Sequence, residues 1–245
     1  MEKYIKEITN FVKDYVTSAG AKGVVVGMSG GKDSFVVAKL CVLALGKENV
    51  FGVILPNGEM KDLEIAKHEC EILGIKNKTL NIENIDKEIK RLTKETTESS
   101  ELNEVAAINI APRVRMTVLY SVAANLNFLV ANTSNLSETM IGYSTKWGDN
   151  VGDFAPIVDF TKTEVCEIGL ALGLPKEYIL KAPTDGLSGK EDEEKIGFSY
   201  KELDEFIRTG KSTNSEEKIK KMSRITAHKR GLPQKFNSGK ANHLK

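Results

Sequence analysis

The sequence predicts an α/β fold, a doubly wound parallel sheet with helices on both faces. Short apolar runs rich in β-branched residues occur at 22–28, 49–56 and 127–133, as is typical of strands that are buried on both faces. Stretches with helical spacing of apolar residues separate the first two runs and precede the third. Because parallel neighbours require right-handed crossovers, this alternation predicts helices above and below one sheet.

The remaining elements follow from their local patterns. Residues 76–82 predict a weaker third strand. The mostly helical section 84–125 is divided by a polar patch at 93–103 and by Pro112, which favours a helix boundary or a kink. Residues 134–153 contain too many Gly, Ser and Asn residues for a plain helix. Helical periodicity predicts the other helices, at 3–19, 34–45, 62–74, 161–173, 199–208 and 214–227.

The chain is predicted to form a single domain over residues 1–245, without an internal repeat. A charged stretch at about 183–196 is predicted to be a mobile loop, because long loops in compact domains are often lids. The segment 218–245 carries nine Lys or Arg and no Asp or Glu. This basic segment favours a partner with phosphates, either a nucleotide or a nucleic acid, and a solvated tail is the alternative.

Composition narrows the class of protein. The net charge is +1 and 40% of residues are hydrophobic, as in ordinary soluble globular chains. No apolar run reaches the roughly 18 residues of a membrane span, and the charged first residues do not resemble a secretory signal. Cys41, Cys70 and Cys166 lie far apart and no CxxC motif occurs, which argues against disulfides and a zinc site. The expectation is a cytoplasmic protein with no membrane partner.

The stretch GMSGGKDS, at 27–34, joins the first strand to a helix. Backbone amides at a helix start are unpaired and the helix dipole adds positive potential, so such a loop suits a phosphate. Gly30 and Gly31 let phosphate oxygens approach the backbone, and Ser29 and Ser34 can donate hydrogen bonds. Asp33 would repel phosphate unless Mg²⁺ bridges the two. A glycine-rich turn without a ligand is the alternative.

The motif SGGKDS resembles the SGGxDS signature of the PP-loop ATP pyrophosphatases, which cleave ATP between its α and β phosphates. Four later stretches resemble the NAD synthetase family, in its order and spacing. They are RVRM at 113–116, the segment from NTSNLSE to FTKTEV at 132–165, the segment KAPTDGL to DEFI at 181–207, and HKR at 228–230. The resemblance runs from about residue 4 to residue 236.

This resemblance implies an adenine nucleotide alpha hydrolase-like fold and a ligase that forms a C–N bond. The reaction would be the ATP-dependent amidation of deamido-NAD to NAD through an acyl adenylate, with AMP and pyrophosphate released. Free ammonia would be the donor, because glutamine-dependent relatives need a second catalytic domain and the first residues already belong to the synthetase. The family also implies a homodimer, no nucleic-acid partner, and a lid at 184–196 that keeps water from the adenylate.

The resemblance further assigns residues to roles. Mg²⁺ would be held by Asp33 and Glu138. Catalysis would depend on Asp33, Glu138, Lys162 and Asp153. The deamido-NAD contacts would be Arg113, Lys146, Asp153, His228 and Lys229. The ATP contacts would be Gly27, Met28, Ser29, Gly30, Gly31, Lys32, Asp33, Ser34, Thr133, Lys162 and Thr184.

Three positions depart from the family pattern. Asn132 replaces the glycine usual before the threonine, Asn57 stands where a tyrosine is frequent, and Pro112 replaces an alanine or lysine. Two other functions are compatible with the loop. One is a PP-loop enzyme that modifies tRNA, which the basic segment 218–245 favours and the absence of cysteine pairs opposes. The other is an ATP-binding module without chemistry, which would not need Asp33 and Glu138 together.

Overall fold

A computed structural model describes residues 1–181, 192–211 and 214–233 of the chain. Its centre is a parallel sheet in the order β3-β2-β1-β4. Val24 of β1 lies opposite Val50 of β2 on one side and Leu129 of β4 on the other. The predicted α/β fold with a parallel sheet is confirmed. The strands are β1 (Gly23–Gly27), β2 (Val50–Ile54), β3 (Lys76–Thr79) and β4 (Phe128–Val130).

Twelve helices surround this sheet in the described part of the chain. None of them is long and apolar enough to cross a membrane. Two short 3₁₀ turns lie at Lys47–Asn49 and Ala227–Lys229. The helices are α1 (Glu2–Ser18), α2 (Lys32–Leu45), α3 (Leu63–Leu73), α4 (Glu83–Thr96), α5 (Glu104–Ile108), α6 (Ile110–Leu126), α7 (Leu136–Ile141), α8 (Lys162–Ala171), α9 (Lys176–Ile179), α10 (Asp192–Ile196), α11 (Tyr200–Thr209) and α12 (Glu216–Ile225).

Alternate residues of β1 belong to two separate cores, one on each face of the sheet. Val24 and Val26 pack with the apolar sides of α1, α2, α3 and α8. Val25 packs with Val53 of β2 and with residues of α6 such as Val114. All of these β1 valines are fully buried, which is why the strand is a continuous β-branched run. The helices therefore cover both faces, as the sequence predicts.

The direction in which successive strands are added to the sheet changes between β1 and β4. From β1 the chain proceeds outwards to β2 and β3, and it then returns to place β4 on the other side of β1. In open parallel sheets the crevice beyond the carboxyl ends of strands at such a switch point is where ligands bind. The loop at 28–31 and the segment after Val130 flank this crevice.

A third apolar cluster joins the last three helices to α7, which follows β4 in the chain. Ile141 of α7, Ile196 of α10, Leu203 of α11 and Ile219 of α12 are all fully buried in it. The sequence predicts a loop through residue 196, whereas Asp192–Ile196 form α10. The reason is that Ile196 is buried by α11 and α12, which local sequence does not reveal. The rest of the predicted loop, residues 183–191, lies outside the described residues.

The structure describes the position of Pro112 and of part of the basic segment 218–245. Pro112 lies in the first turn of α6, where a proline costs no hydrogen bond, so it marks a boundary and does not kink the helix. The basic segment begins within α12 and continues through the Ala227–Lys229 turn. Residues 234–245 lie outside the described residues. The prediction of a single domain stays a prediction.

Glu69 of α3 predicts a pH dependence of stability. It is fully buried, its oxygens have no hydrogen-bond partner among the described residues, and burial raises the pKa of this carboxyl to about 8. The folded state therefore retains a proton that the unfolded state releases from about pH 5 upwards. In the wild type, the unfolding free energy should therefore fall by about 1.4 kcal/mol per pH unit between about pH 5 and pH 8. We expect this fall to be absent in Glu69→Gln.

Urea titrations of both proteins at several pH values measure this difference. The wild type should lose stability relative to Glu69→Gln up to about pH 8 and then follow a parallel course. Parallel curves from pH 5 to pH 9 would show that Glu69 is ionised throughout. Exposed Glu71 on the same helix, changed to Gln, is the matched control.

Candidate active site

A cavity of about 730 Å³ lies at the switch point between β1 and β4. The whole GMSGGKDS loop lines one side, and residues of α6 and of the segment 142–149 line the other. Cavities of this size hold ligands comparable to a nucleotide. Every residue predicted to contact ATP lines the cavity, except Thr184, which lies outside the described residues.

The glycine loop is tightly packed against the start of α3. Gly30 has φ +72°, and a Cβ there would lie 2.7 Å from the carbonyl oxygen of Asp62. Only glycine satisfies both requirements without strain. Ser34 Oγ donates to the carbonyl oxygen of Gly31 at 2.9 Å, and Ser29 Oγ lies 3.1 Å from Ser34 Oγ. These hydrogen bonds fix the loop in one conformation.

The first turn of α2 faces the cavity. Gly31 is its N-cap, and no side chain caps this end within the described residues. Backbone amides of an uncapped helix start are available to an anion, and the helix dipole adds to their attraction. Lys32 is buried and lines the same cavity. The loop can therefore bind phosphate oxygens through its backbone.

Two carboxylates face each other across the switch point. Asn135 connects them: its Nδ2 donates to Asp33 Oδ1 at 3.2 Å, and its Oδ1 accepts from the backbone N–H of Glu138 at 3.0 Å. Burial raises the pKa of Glu138 to about 7, and the negative charge of Asp33 contributes, whereas Lys162 opposes the rise. A positive charge near these carboxylates favours their ionised forms.

Lys162, the first residue of α8, forms an ion pair with Glu138. Its Nζ lies 2.8 Å from Glu138 Oε1 and 3.5 Å from Asp192 Oδ2, and 4.0 Å from the centre of the Tyr200 ring. Burial alone would lower the pKa of Lys162, but Glu138 and Asp33 outweigh it and raise the pKa above its ordinary value. The ammonium group is therefore held charged at the cavity.

Three residues of the site were not singled out from the sequence. Asp192 of α10 is buried against Lys162 and accepts hydrogen bonds from Tyr143 and Tyr200 hydroxyls at 3.3 and 3.4 Å. Its neighbours are charged, so nothing local marks it. Asn135 could have been found, because Asn followed by Glu three residues later is a helix-start pattern. Arg115 is the third.

Arg115, and not Arg113, lines the cavity. Arg115 Nε donates to the carbonyl oxygen of Leu55 at 2.9 Å, and burial lowers the pKa of its guanidinium. Arg113 is exposed, and its Nε donates to the carbonyl oxygen of Lys146 at 3.2 Å. The structure thus does not bring Arg113 into the cavity. Residues two apart on a helix point in different directions, so the choice depends on how α6 packs.

Of the other residues predicted to contact the dinucleotide, some line the cavity and some do not. Lys229 lines the cavity, and its Nζ donates to the carbonyl oxygens of Gly142 and Ser144 at 2.8 and 2.6 Å. Lys146, whose Nζ lies 5.5 Å from the Trp147 ring, and exposed His228 are not among the lining residues.

Asp153 has a structural position at the end of β4. Its Oδ2 accepts from the backbone N–H of Val130 at 2.7 Å, and its own N–H donates to the carbonyl oxygen of Val130 at 2.8 Å. It is not among the residues that line the cavity. Asp153 therefore braces the end of β4, after which Thr133 follows, and its carboxylate does not line the cavity.

Asn132, the departure from the usual glycine, ties the strand end to the loop beyond it. Its Nδ2 donates to the carbonyl oxygens of Asp149 and Val151 at 3.3 and 3.1 Å, and its Oδ1 accepts from Ser134 N–H at 2.9 Å. We expect Asn132→Gly to lower the unfolding free energy by about 2 kcal/mol, because three buried hydrogen bonds are lost and the chain gains freedom.

Urea unfolding measures this effect, with Asn77→Gly as the control because Asn77 is exposed on β3. Equal losses in the two variants would mean that the Asn132 side chain adds nothing beyond the cost of glycine.

A parallel sheet whose first strand leads through SGGKDS into a helix, with its carboxylate pair at the switch point, defines a nucleotide-binding α/β protein of the PP-loop class. The family model described as NAD synthase matches residues 4–233. The chain belongs to the NAD synthase family.

Individual relatives agree with this membership. An NH₃-dependent NAD⁺ synthetase from Archaeoglobus fulgidus is 41% identical over 241 residues, which cover 95% of both chains. Among solved structures, an NMN synthetase from Francisella tularensis has a TM-score of 0.87 at 34% identity and covers 96% of this chain and 98% of its own. An NH₃-dependent NAD synthetase from Campylobacter jejuni has a TM-score of 0.77 at 30% identity, with 96% and 98% covered.

Proposed function

We propose that the chain is an ammonia-dependent ligase that amidates deamido-NAD with ATP, giving NAD, AMP and pyrophosphate. The observation that carries this proposal is a single cavity in which an uncapped helix start adjoins two carboxylates and a buried lysine. Its volume of about 730 Å³ suits nucleotide ligands. Membership of the NAD synthase family supports the same reaction.

The glycine loop binds the triphosphate of ATP. Backbone amides at the start of α2 and the hydroxyls of Ser29 and Ser34 surround the phosphates, and Lys32 contributes a buried positive charge. Donors fixed in advance stabilise charge that develops on a departing pyrophosphate, because no reorganisation is needed during the reaction.

The residues present fit a Mg²⁺ ion. Asp33 and Glu138 offer carboxylate oxygens. The pKa of Glu138 is raised chiefly by burial, and the negative charge of Asp33 adds to the rise. Within the described residues no group of three or more His, Cys, Asp or Glu side chains converges on one point, which suits a metal that takes its other ligands from water and phosphate. When bound, Mg²⁺ would neutralise phosphate charge.

The chemistry consists of two displacements. A carboxylate oxygen of the nicotinate attacks the α phosphorus of ATP. The bond between the α phosphorus and the oxygen that bridges it to the β phosphate breaks, and pyrophosphate leaves. Ammonia then attacks the carbonyl carbon of the resulting acyl adenylate, loses a proton, and AMP leaves. The chain supplies no covalent nucleophile. Its residues position the reactants, with Lys162 held beside the phosphates by Glu138 and Asp192.

The dinucleotide binds along α6 and the segment 142–149. Arg115 and Lys229 are the cationic groups on this side of the cavity, and both suit phosphate or carboxylate oxygens. Arg113, Lys146, Asp153 and His228 would then act from outside this cavity.

A homodimer is part of the proposal. Tyr4, Phe11 and Tyr15 on α1 are 38–47% exposed, and Phe11 and Tyr15 lie within 6.4 Å of the Phe154 ring. An aromatic face of this kind favours a partner chain.

The reaction's substrates also favour a cytoplasmic protein. The net negative charge of the chain before residue 218 disfavours a nucleic-acid partner.

A second substrate is favoured by the similarity to the NMN synthetase. The same chemistry on nicotinate mononucleotide would give NMN, because the reacting carboxylate is identical. Mass spectrometry of the products distinguishes the two. Purified protein receives ATP, Mg²⁺ and ammonium with either deamido-NAD or nicotinate mononucleotide, and glutamine replaces ammonium in parallel reactions.

NAD, AMP and pyrophosphate formed with ammonium and deamido-NAD are the expected products. Faster amidation of the mononucleotide would replace the proposed substrate and keep the reaction. ATP cleavage without amide formation would direct attention to a PP-loop tRNA-modifying enzyme, and no cleavage would leave an ATP-binding module.

A further inference from the structure

A charged cluster lies beside the glycine loop and is not used by the proposed reaction. It consists of Asp62, immediately before α3, Glu69 within α3, and Lys181, two residues after α9. Lys181 Nζ lies 2.6 Å from Asp62 Oδ1, and neither side chain is more than 28% exposed. This ion pair joins two segments that are far apart in sequence.

Asp62 also contacts the glycine loop directly. Its carbonyl oxygen lies 2.7 Å from the position of a Cβ on Gly30, so the backbones of Asp62 and Gly30 are packed together. Asp62 and Lys181 both line the cavity that the glycine loop lines. Asp62 therefore contacts both Lys181 and the glycine loop.

Glu69 is a neighbouring carboxyl that does not compete with Asp62 for the ammonium group of Lys181. It lies two helical turns beyond Asp62 on the same face of α3, is fully buried, and has no hydrogen-bond partner for either oxygen among the described residues. Burial raises the pKa of Glu69, Lys181 lowers it and Asp62 raises it. Below about pH 8 the carboxyl is uncharged, so Lys181 has Asp62 as its charged partner.

Two other titratable groups of α3, His68 and Cys70, flank Glu69 in the sequence. His68 Nδ1 lies 2.5 Å from the hydroxyl of Tyr178 on α9. The Cys70 thiol next to Glu69 is buried, and burial raises its pKa to about 12. The Cys70 thiol therefore does not compete with Asp62 for the ammonium group near neutral pH.

We infer that Lys181 is a positioning residue: its ion pair with Asp62 holds the chain after α9 against the glycine loop and thereby sets the affinity for ATP. The inference depends on the proposed function only in that ATP binds at this loop. Lys181 does not need to touch ATP, because the effect is transmitted through Asp62 to Gly30.

Equilibrium titration of full-length protein with Mg-ATP tests this role, together with kinetics of amide formation. Lys181→Met keeps the aliphatic stem and removes the charge, and Asp62→Asn removes the other partner. Each is expected to weaken ATP binding about tenfold and to raise KM for ATP without changing KM for ammonium. The double variant should match the single ones, because one interaction is lost in all three. Lys181→Arg should restore binding.

Two variants serve as controls. Lys67→Met removes a lysine of α3 whose ion pair with Glu64 is exposed, with Nζ 2.7 Å from Oε1, and is expected to bind ATP normally. Glu69→Gln reproduces the uncharged carboxyl, so it should also bind ATP normally near neutral pH. Thermal unfolding identifies any variant that fails to fold, and the remaining partner of the ion pair then carries the test.

Several results would overturn the inference. They are unchanged ATP affinity in Lys181→Met, an equal loss in Lys67→Met, additive losses in the double variant, or equal increases in KM for ATP and ammonium. Its failure is distinguishable from that of the proposed function. A wild type that binds ATP but forms no amide would contradict the proposed function alone, because the binding titrations would still test Lys181.

Discussion

Asp33→Asn is expected to lower kcat by about a thousandfold, equivalent to about 4 kcal/mol of transition-state stabilisation. Asparagine has the shape of aspartate but no charge, so the site loses a carboxylate where a cation is proposed to bind. The fold should be unaffected or slightly stabilised, because Asp33 contributes to the raised pKa of Glu138 and its removal relieves that repulsion. Single-turnover release of AMP at saturating ATP measures the effect.

The control for this change is Asp14→Asn, on an exposed part of α1. It removes one negative charge from the chain and should leave kcat unchanged. A near-normal rate in Asp33→Asn at every Mg²⁺ concentration would exclude Asp33 from the chemical step. The proposed carboxylate pair would then have to be replaced by another arrangement.

Gly30→Ala is expected to weaken ATP binding at least about a hundredfold. The new Cβ would lie 2.7 Å from the Asp62 carbonyl oxygen, at a residue with φ +72°. The left-handed backbone alone costs roughly 1–2 kcal/mol, and the clash with backbone forces the loop to move. Displaced amides no longer match the phosphate oxygens, so affinity falls more than stability does. Calorimetric titration with Mg-ATP and urea unfolding measure the two effects.

Gly20→Ala separates backbone strain from the clash. Gly20 has φ +67° and open space around its Cβ position, so alanine there should lower stability but leave ATP binding intact. Equal effects of the two substitutions on ATP binding would show that the close approach of Gly30 and Asp62 does not shape the phosphate site.

The parts of the fold that could be predicted are those determined locally. The run of valines in β1, the glycines that follow it and the apolar face of α2 are adjacent in sequence, so their strand-loop-helix arrangement is readable directly. α10 could not be predicted, because Ile196 is apolar in a charged stretch and is buried only by α11 and α12. Its helix depends on packing that the local sequence does not encode.

Part of the candidate site could also be predicted from the sequence. The residues of the loop, Glu138, Lys162 and Lys229 line one cavity as expected. Arg115 lines the cavity and Arg113 does not, and the contact of Arg113 with the dinucleotide stays a prediction. The sequence does not show which arginine faces the cavity, because the rotation of α6 about its axis is set by contacts with the sheet. Likewise, the raised pKa of Glu138 depends first on burial and then on Lys162 and Asp33, which are distant in sequence.

The most direct measurement of the central claim follows ¹⁸O from the nicotinate carboxylate. Deamido-NAD labelled in both carboxylate oxygens is incubated with the protein, ATP, Mg²⁺ and ammonium, and AMP is analysed by mass spectrometry. If the carboxylate attacks the α phosphorus, one labelled oxygen leaves with each AMP and the other stays in the amide of NAD. Unlabelled AMP, or label in inorganic phosphate formed together with ADP, would show that the SGGKDS loop does not direct attack at the α phosphorus.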